Sequence, residues 1–371
     1  MPSAIHEKDA PLADWIERSD ALRELLQPST PTIGLDTEFM RIDTFLPRLA
    51  LVQVEIAGRI ALIDPTAEID PAPLAARLAD PACTVVMHSA SEDIEALATW
   101  SCTIANLFDT QIAASFAGLG AGLGYQKLVR ELTGVELSKG ETRSDWLRRP
   151  LSEQQLEYAA LDVVYLPALH TELGARVEQR GYRAWLEQDC ARMLERARLR
   201  EPDMQPQVAM RGAADWPRER QALLRRILIW RDATARTINR PRPWLLDDAH
   251  MMDFAARPPR TADELAERGK GQRALRSAQR AELLDVLNAP LAPEELVFTP
   301  IPAAPTPREK SVITAMKEAV SARATELDLP EGLLCARRHL ESLLATRQWP
   351  AALEGWRREV LHDRLVALLP D

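Results

Sequence analysis

The chain has 371 residues, 46% hydrophobic and 27% charged, with a formal net charge of −9. That length suits two or three domains, and the composition excludes disordered and fibrous classes. No apolar run is long enough to span a bilayer, the charged opening MPSAIHEKDA lacks a signal-peptide core, and the four scattered cysteines form no CxxC or zinc spacing, so a cytoplasmic protein without a membrane partner is expected.

The first half alternates strands and helices. Ser19 is placed to cap a helix over 20–27, and 32–35 is an apolar strand leading into Asp36. Segments 49–56 and 60–63 read as an antiparallel pair joined by Ala57-Gly58-Arg59. A short helix over 73–78 and a strand over 84–87 follow. Ser91 is placed to cap a helix over 92–100, with Glu92 and Asp93 in its first turn. A short strand over 106–108 ends at Asp109. The chain is then helical to about residue 198, interrupted by the loops 118–124 and 138–150. This predicts an α/β domain with a mixed sheet over residues 1–200, able to fold on its own.

Residues 211–290 and 308–371 read as helices, separated by a Pro-rich linker over 291–307. At an offset of 88 residues, Thr237 meets Thr325 and Leu245-Leu246 meets Leu333-Leu334. The order of elements in the two pieces is shared, which predicts a duplicated helical module.

Charge is unevenly spread. Residues 1–200 carry 20 Lys/Arg against 30 Asp/Glu, while residues 211–280 carry 16 against 9. The basic excess is nearly all arginine. It is either a solvated helical surface or a phosphate-binding face. Arg225, Arg226, Arg231, Arg236, Arg240 and Arg242 are the candidates for phosphate contacts.

The chemistry is carried by acids. Asp36 and Glu38 sit at i and i+2 of a strand and share a side. Two carboxylates there are costly without a cation between them. Asp93 opens a helix directly after another strand. Tyr158 and Asp162, at i and i+4, share a helix face. Four carboxylates select hard cations and suffice for two, the arrangement that serves phosphoryl transfer. A phenol beside them suits the orienting of water.

The order Asp-x-Glu, then Asp93 in His88-Ser-Ala-Ser-Glu-Asp, then Tyr-x-x-x-Asp resembles the DEDDy branch of the DnaQ-like, ribonuclease H-like 3′→5′ exonucleases. Leu35-Asp-Thr-Glu-Phe39, Leu62-Ile-Asp-Pro65, Phe108-Asp-Thr-Gln111, Ser144-Asp-Trp-Leu-Arg-Arg-Pro150 and Glu157-Tyr-Ala-Ala-Leu-Asp-Val163 are similar to bacterial ribonuclease D. The helical pieces resemble paired HRDC domains, the second more divergent. The resemblance implies two Mg²⁺ or Mn²⁺ ions held by Asp36, Glu38, Asp93 and Asp162. Asp36 would bridge both, Glu38 and Asp162 would hold the ion that binds the attacking water, and Tyr158 would orient that water. It implies a monomer that shortens RNA from a free 3′ end to 5′-monophosphates, with tRNA precursors as substrate. For His88 and Asp109, strand-end hydrogen bonding accounts for the motif positions. Two other readings stay open: a DNA 3′→5′ exonuclease, and a non-catalytic RNA-binding protein. A helicase is excluded, because no GxxxxGK[ST] loop is present.

Overall fold

The computed structural model describes residues 12–137, 140, 144–199 and 202–370; the charged opening and part of the 138–150 loop lie outside this set. The chain divides into two compact units. The first holds residues up to Met40, Pro47–Leu199 and Glu309–Asp371, and the second holds Arg41–Leu46 and Arg200–Arg308.

The first unit is built on strands β1 (Ala13–Ile16), β2 (Thr32–Met40), β3 (Arg48–Ile56), β4 (Arg59–Ile63), β5 (Thr84–Met87) and β6 (Leu107–Asp109). They form one sheet in the order β1-β4-β3-β2-β5-β6. β3 is antiparallel to both neighbours, and the β1–β4, β2–β5 and β5–β6 pairs are parallel. The hairpin between β3 and β4 turns on Ala57 and Gly58, both at positive φ (53° and 81°), as a two-residue turn requires. β3 is buried along nearly its whole length, as its near-continuous apolar sequence dictates.

The helices are α1 (Ser19–Leu25), α2 (Ala72–Leu78), α3 (Ser91–Thr99), α4 (Thr110–Phe116), α5 (Tyr125–Thr133), α6 (Glu153–Val164), α7 (Leu166–Gln179) and α8 (Arg183–Leu199). Two expected caps are not made. Ser19 lies inside α1, and its hydroxyl accepts from the Asp70 backbone N–H at 2.9 Å. Ser91 is the first residue of α3, with Ala90 at the cap position and no side-chain cap. β2 runs on to Met40, five residues beyond the apolar strand that the sequence marks out.

The second unit contains α9 (Arg218–Thr237), α10 (Arg242–Leu245), α11 (Asp248–Ala256), α12 (Ala262–Arg268) and α13 (Ser277–Asn288) around a core of Leu224, Ile227, Met251, Phe254, Leu265 and Leu283. It also takes in the connection between β2 and β3. The Asn239 side chain accepts from the backbone N–H groups of Phe45 and Leu46, each at 3.0 Å. The Phe45 ring lies under the Arg236 and Arg242 guanidinium groups, at 4.9 and 4.5 Å.

The last helices, α14 (Pro307–Leu327), α15 (Glu331–Leu334), α16 (Arg337–Thr346) and α17 (Trp356–Val366), do not stand apart as a third body. Met316, Val320, Leu340, Trp356 and Leu361 share the core of the exonuclease-like fold. Trp356 stacks on Trp185 at 4.6 Å and meets Phe116 edge-on at 5.6 Å. The Asp189 carboxylate, buried on α8, takes two guanidinium bonds from Arg357 (2.5 and 2.7 Å) and one from the Trp356 indole N–H (3.1 Å). Within the first unit, residues up to 199 thus share one core with Glu309–Asp371.

Arg357→Met would leave the buried Asp189 carboxyl without its guanidinium partner. Urea denaturation should show a loss of about 3–5 kcal/mol, the usual cost of stranding one member of a buried pair. A loss below about 1 kcal/mol would class the pair with surface ion pairs.

Candidate active site

β2 outruns its parallel partner. Thr32, Ile33 and Gly34 pair with β5, but Asp36 and Glu38 pair only with β3, opposite Gln53 and Leu51. Two acids thus stand half-buried at the carboxyl end of a strand, beside a gap in the sheet. Thr37 between them points to the other face, where its hydroxyl donates to Asp93 Oδ1 at 2.6 Å. Asp93 is buried in the first turn of α3.

α6 brings the remaining two groups. Its start is fixed by a capping box: Ser152 Oγ accepts from the Gln155 N–H and Gln155 Oε1 from the Ser152 N–H, at 3.2 and 3.0 Å. One turn apart, Tyr158 and Asp162 face the same way, and the Tyr158 hydroxyl hydrogen-bonds the Asp162 carboxylate. The Tyr158 ring packs on Trp146 at 6.0 Å. Trp146 is placed in turn by Arg149. The Arg149 guanidinium donates to both Asp64 oxygens (2.6 and 2.7 Å), to the Trp146 carbonyl (2.7 Å) and to the Ala50 carbonyl (2.6 Å).

The four acids sense one another. Burial, and then repulsion from Asp93, Asp162 and Glu38, holds the Asp36 carboxyl well above the ordinary carboxylate range. Burial and the same neighbours push Glu38 up to about 8. Burial moves Asp93 up to about 6, against the Thr37 hydrogen bond. Asp162 rises to about 7, again mainly from burial. Burial and the nearby acids also raise the Tyr158 phenol, which stays protonated. Among the described residues, no Lys or Arg forms an ion pair with any of the four.

An all-oxygen donor set without a positive partner suits a hard divalent cation. Among the described residues, no group of three or more His, Cys, Asp or Glu is already gathered as a metal cage. The reason is visible in the side chains. Asp93 is committed to Thr37 and Asp162 to Tyr158, and uncompensated carboxylates do not crowd together.

The motif neighbours serve the scaffold, as expected. Asp109 caps α4, accepting from Gln111 and Ile112 N–H, and ties the chain before α3 through Ala90 N–H. His88 Nδ1 meets the Thr110 hydroxyl at 2.8 Å. Sequence reasoning missed Thr37, Arg149 and Tyr125. The half-buried Tyr125 phenol donates to the Leu161 carbonyl at 3.0 Å, and desolvation first, then the nearby Asp162 and Asp36, raise it above its ordinary value. No local spacing marks it, since it sits on a different helix.

The six arginines are all engaged within the second unit. Arg226 pairs with Glu295 (2.5 and 2.6 Å) and three carbonyls, and Arg231 with Asp248 and the Leu246 carbonyl. Arg225 bonds the Met204 carbonyl, Arg236 and Arg242 share Asp232, and Arg240 holds Asp43.

Known proteins fix the family. A family described as 3′-5′ exonuclease matches residues 7–178, and the HRDC domain matches residues 220–287. Ribonuclease D of Xanthomonas oryzae is 45% identical, covering 96% of this chain and 98% of its own. The chain belongs to the ribonuclease D family. Ribonuclease D of Pseudomonas paraeruginosa is 36% identical over 97% of this chain and 98% of its own. The crystal structure of Escherichia coli RNase D, described as an exoribonuclease involved in structured RNA processing, superposes with a TM-score of 0.83 at 29% identity, covering 96% of this chain and 98% of that one. The chain is therefore a 3′→5′ exoribonuclease with an HRDC domain, and its fold and family imply dependence on divalent metal.

The raised carboxyls make a stability prediction. A group that binds its proton more tightly folded than unfolded favours the fold at low pH. That advantage is lost as pH rises from about 4, the ordinary carboxylate value, through about 6, 7 and 8. In chelator, the melting temperature should fall over this window, and Mn²⁺ should flatten the decline. An identical slope with and without Mn²⁺ would separate the acids from metal binding.

Proposed function

We propose that Asp36, Glu38, Asp93 and Asp162 would hold two Mg²⁺ or Mn²⁺ ions, and that the reaction is hydrolysis of the last phosphodiester of an RNA 3′ end. The carrying observation is the cluster of four buried or half-buried acids that, among the described residues, has no Lys or Arg ion-paired to it. When bound, two such ions supply neutralisation of the phosphate and acidity for the attacking water. Asp36, on which the other three acids all act, would serve as a ligand to both. Glu38 and Asp162 serve the side of the attacking water, and Asp93 the side of the scissile phosphate. Tyr158, protonated and backed by Trp146, presents a hydroxyl that orients the water. Water adds to phosphorus, the P–O3′ bond breaks, and a 5′-monophosphate leaves the shortened chain with a new 3′-hydroxyl. The substrate is RNA with a single-stranded 3′ tail, tRNA precursors first, and the enzyme works as a cytoplasmic monomer.

Residues 308–371 are proposed as a second, divergent HRDC module. The backbone supports this reading. After α9 and α14 come Asn239 and Asp328, at φ 48° and 49°. Then Pro241 (φ −55°, ψ 136°) and Pro330 (−63°, 136°) start the short helices α10 and α15. These end at Leu246 (−162°, 118°) and Cys335 (−156°, 125°).

The second unit is proposed to hold the RNA body. Arg226 and Arg231 keep little exposure and serve the fold first, whereas Arg225, Arg236, Arg240 and Arg242 stay partly open. Arg273 and Arg276 add exposed guanidinium groups without an acidic partner among the described residues.

Chelator should abolish release of 5′-monophosphates from 3′-labelled RNA, and Mg²⁺ or Mn²⁺ should restore it. Asp36→Asn and Asp162→Asn should each lose most of the rate. Tyr158→Phe should keep the fold and RNA affinity while the rate falls on the order of 10²–10⁴-fold. Full activity in excess chelator, or an unchanged rate with Phe, would overturn these roles. Matched RNA and DNA oligomers decide the sugar preference. Arg273→Ala/Arg276→Ala should weaken tRNA-precursor binding and make its salt dependence shallower by about two phosphate contacts; an unchanged slope would remove both from the RNA face.

A further inference from the structure

Gln53 lies at the centre of the sheet and is wholly inaccessible to solvent. It stands directly across from Asp36 in the antiparallel β2–β3 pair. Opposed residues of such a pair project from the same face, with Cβ atoms about 4.5–5.5 Å apart. Both polar atoms of its side chain, Nε2 and Oε1, lack a hydrogen-bond partner. A buried carboxamide with neither end satisfied is rare and calls for a reason. Leu62, its partner on β4, and Leu51, two residues back along β3 and on the same face, are both buried and apolar, so an apolar side chain of the same length would suit the position better. The amide persists beside an acid that three other carboxylates repel.

We propose that Gln53 is a positioning residue for Asp36: its carboxamide N–H is held for the Asp36 carboxylate and fixes that carboxylate's orientation when the site is loaded with divalent cation. The proposal rests on the two-ion reading above. A donor behind a ligating carboxylate leaves the oxygens of that ligand no freedom to swing away, and such supporting bonds commonly govern metal affinity.

The test uses the full chain and Gln53→Met, close to glutamine in length and volume but with no donor. Mn²⁺ binding is measured by titration calorimetry, and melting is measured in chelator. The expected result is a 10–100-fold weaker Mn²⁺ affinity with a metal-free melting temperature equal to or above that of the wild type, because no satisfied bond has been removed. At limiting Mn²⁺, kcat should fall while KM for a short oligoribonucleotide holds. Unchanged Mn²⁺ affinity, or a lower metal-free melting temperature, would assign the amide to the scaffold and overturn the proposal. Absence of Mn²⁺ binding by the wild type would instead overturn the two-ion reading itself. Should Gln53→Met fail to fold, a wild-type structure with Mn²⁺ decides. Nε2 within about 3.2 Å of an Asp36 carboxylate oxygen supports the role, and a greater separation ends it.

Discussion

Repulsion among four carboxylates governs the design of the exonuclease unit. Left in water, these groups would stay apart and ionised. The sheet prevents that by letting β2 overrun β5, so that Asp36 and Glu38 stand where the pairing stops. α3 and α6 then deliver Asp93 and Asp162 to the same edge, each restrained by a hydroxyl, that of Thr37 or Tyr158. Burial raises all four carboxyls, and repulsion from neighbouring acids adds to it. The unit accepts a local cost for a site that a cation relieves, a trade common at functional centres.

The motifs were legible because their spacing is local. A strand puts i and i+2 on one side and a helix puts i and i+4 on one face, and both rules placed their pairs correctly. The central strands were legible too, since β3 and β5 are nearly unbroken apolar runs. β1 was not: four residues, ADWI, are ordered as a strand by parallel pairing with β4, more than forty positions away. Ser19 and Ser91 misled because a serine before an apolar run is a cap only if its hydroxyl is not claimed elsewhere, and Asp70 claims that of Ser19. Gln53 carries no signal in the run Leu-Val-Gln-Val, and its interest comes wholly from the strand opposite.

Charge counting showed its limit in the second unit. A net excess of arginine says that guanidinium groups are plentiful, not that they are free. Arg226 closes a five-bond knot on Glu295 and three carbonyls, and Arg236 and Arg242 sandwich Asp232 and Phe45. Arginine suits this work because its planar fork satisfies several acceptors at once. The same property that recommends it for phosphate also recommends it for carbonyl-rich helix ends.

The hairpin tip 41–46 belongs to the second unit, although the strands it joins belong to the first. The polypeptide therefore passes between units four times, and the two units are interleaved along the sequence. No single interval of the gene encodes either unit whole. Clean excision of the helices would require both a bridge from Leu199 to Glu309 and a new turn between Met40 and Pro47. Insertions and recombination breakpoints that an ordinary surface hairpin would tolerate are constrained here by Asn239, Arg240 and Arg242, nearly two hundred positions downstream.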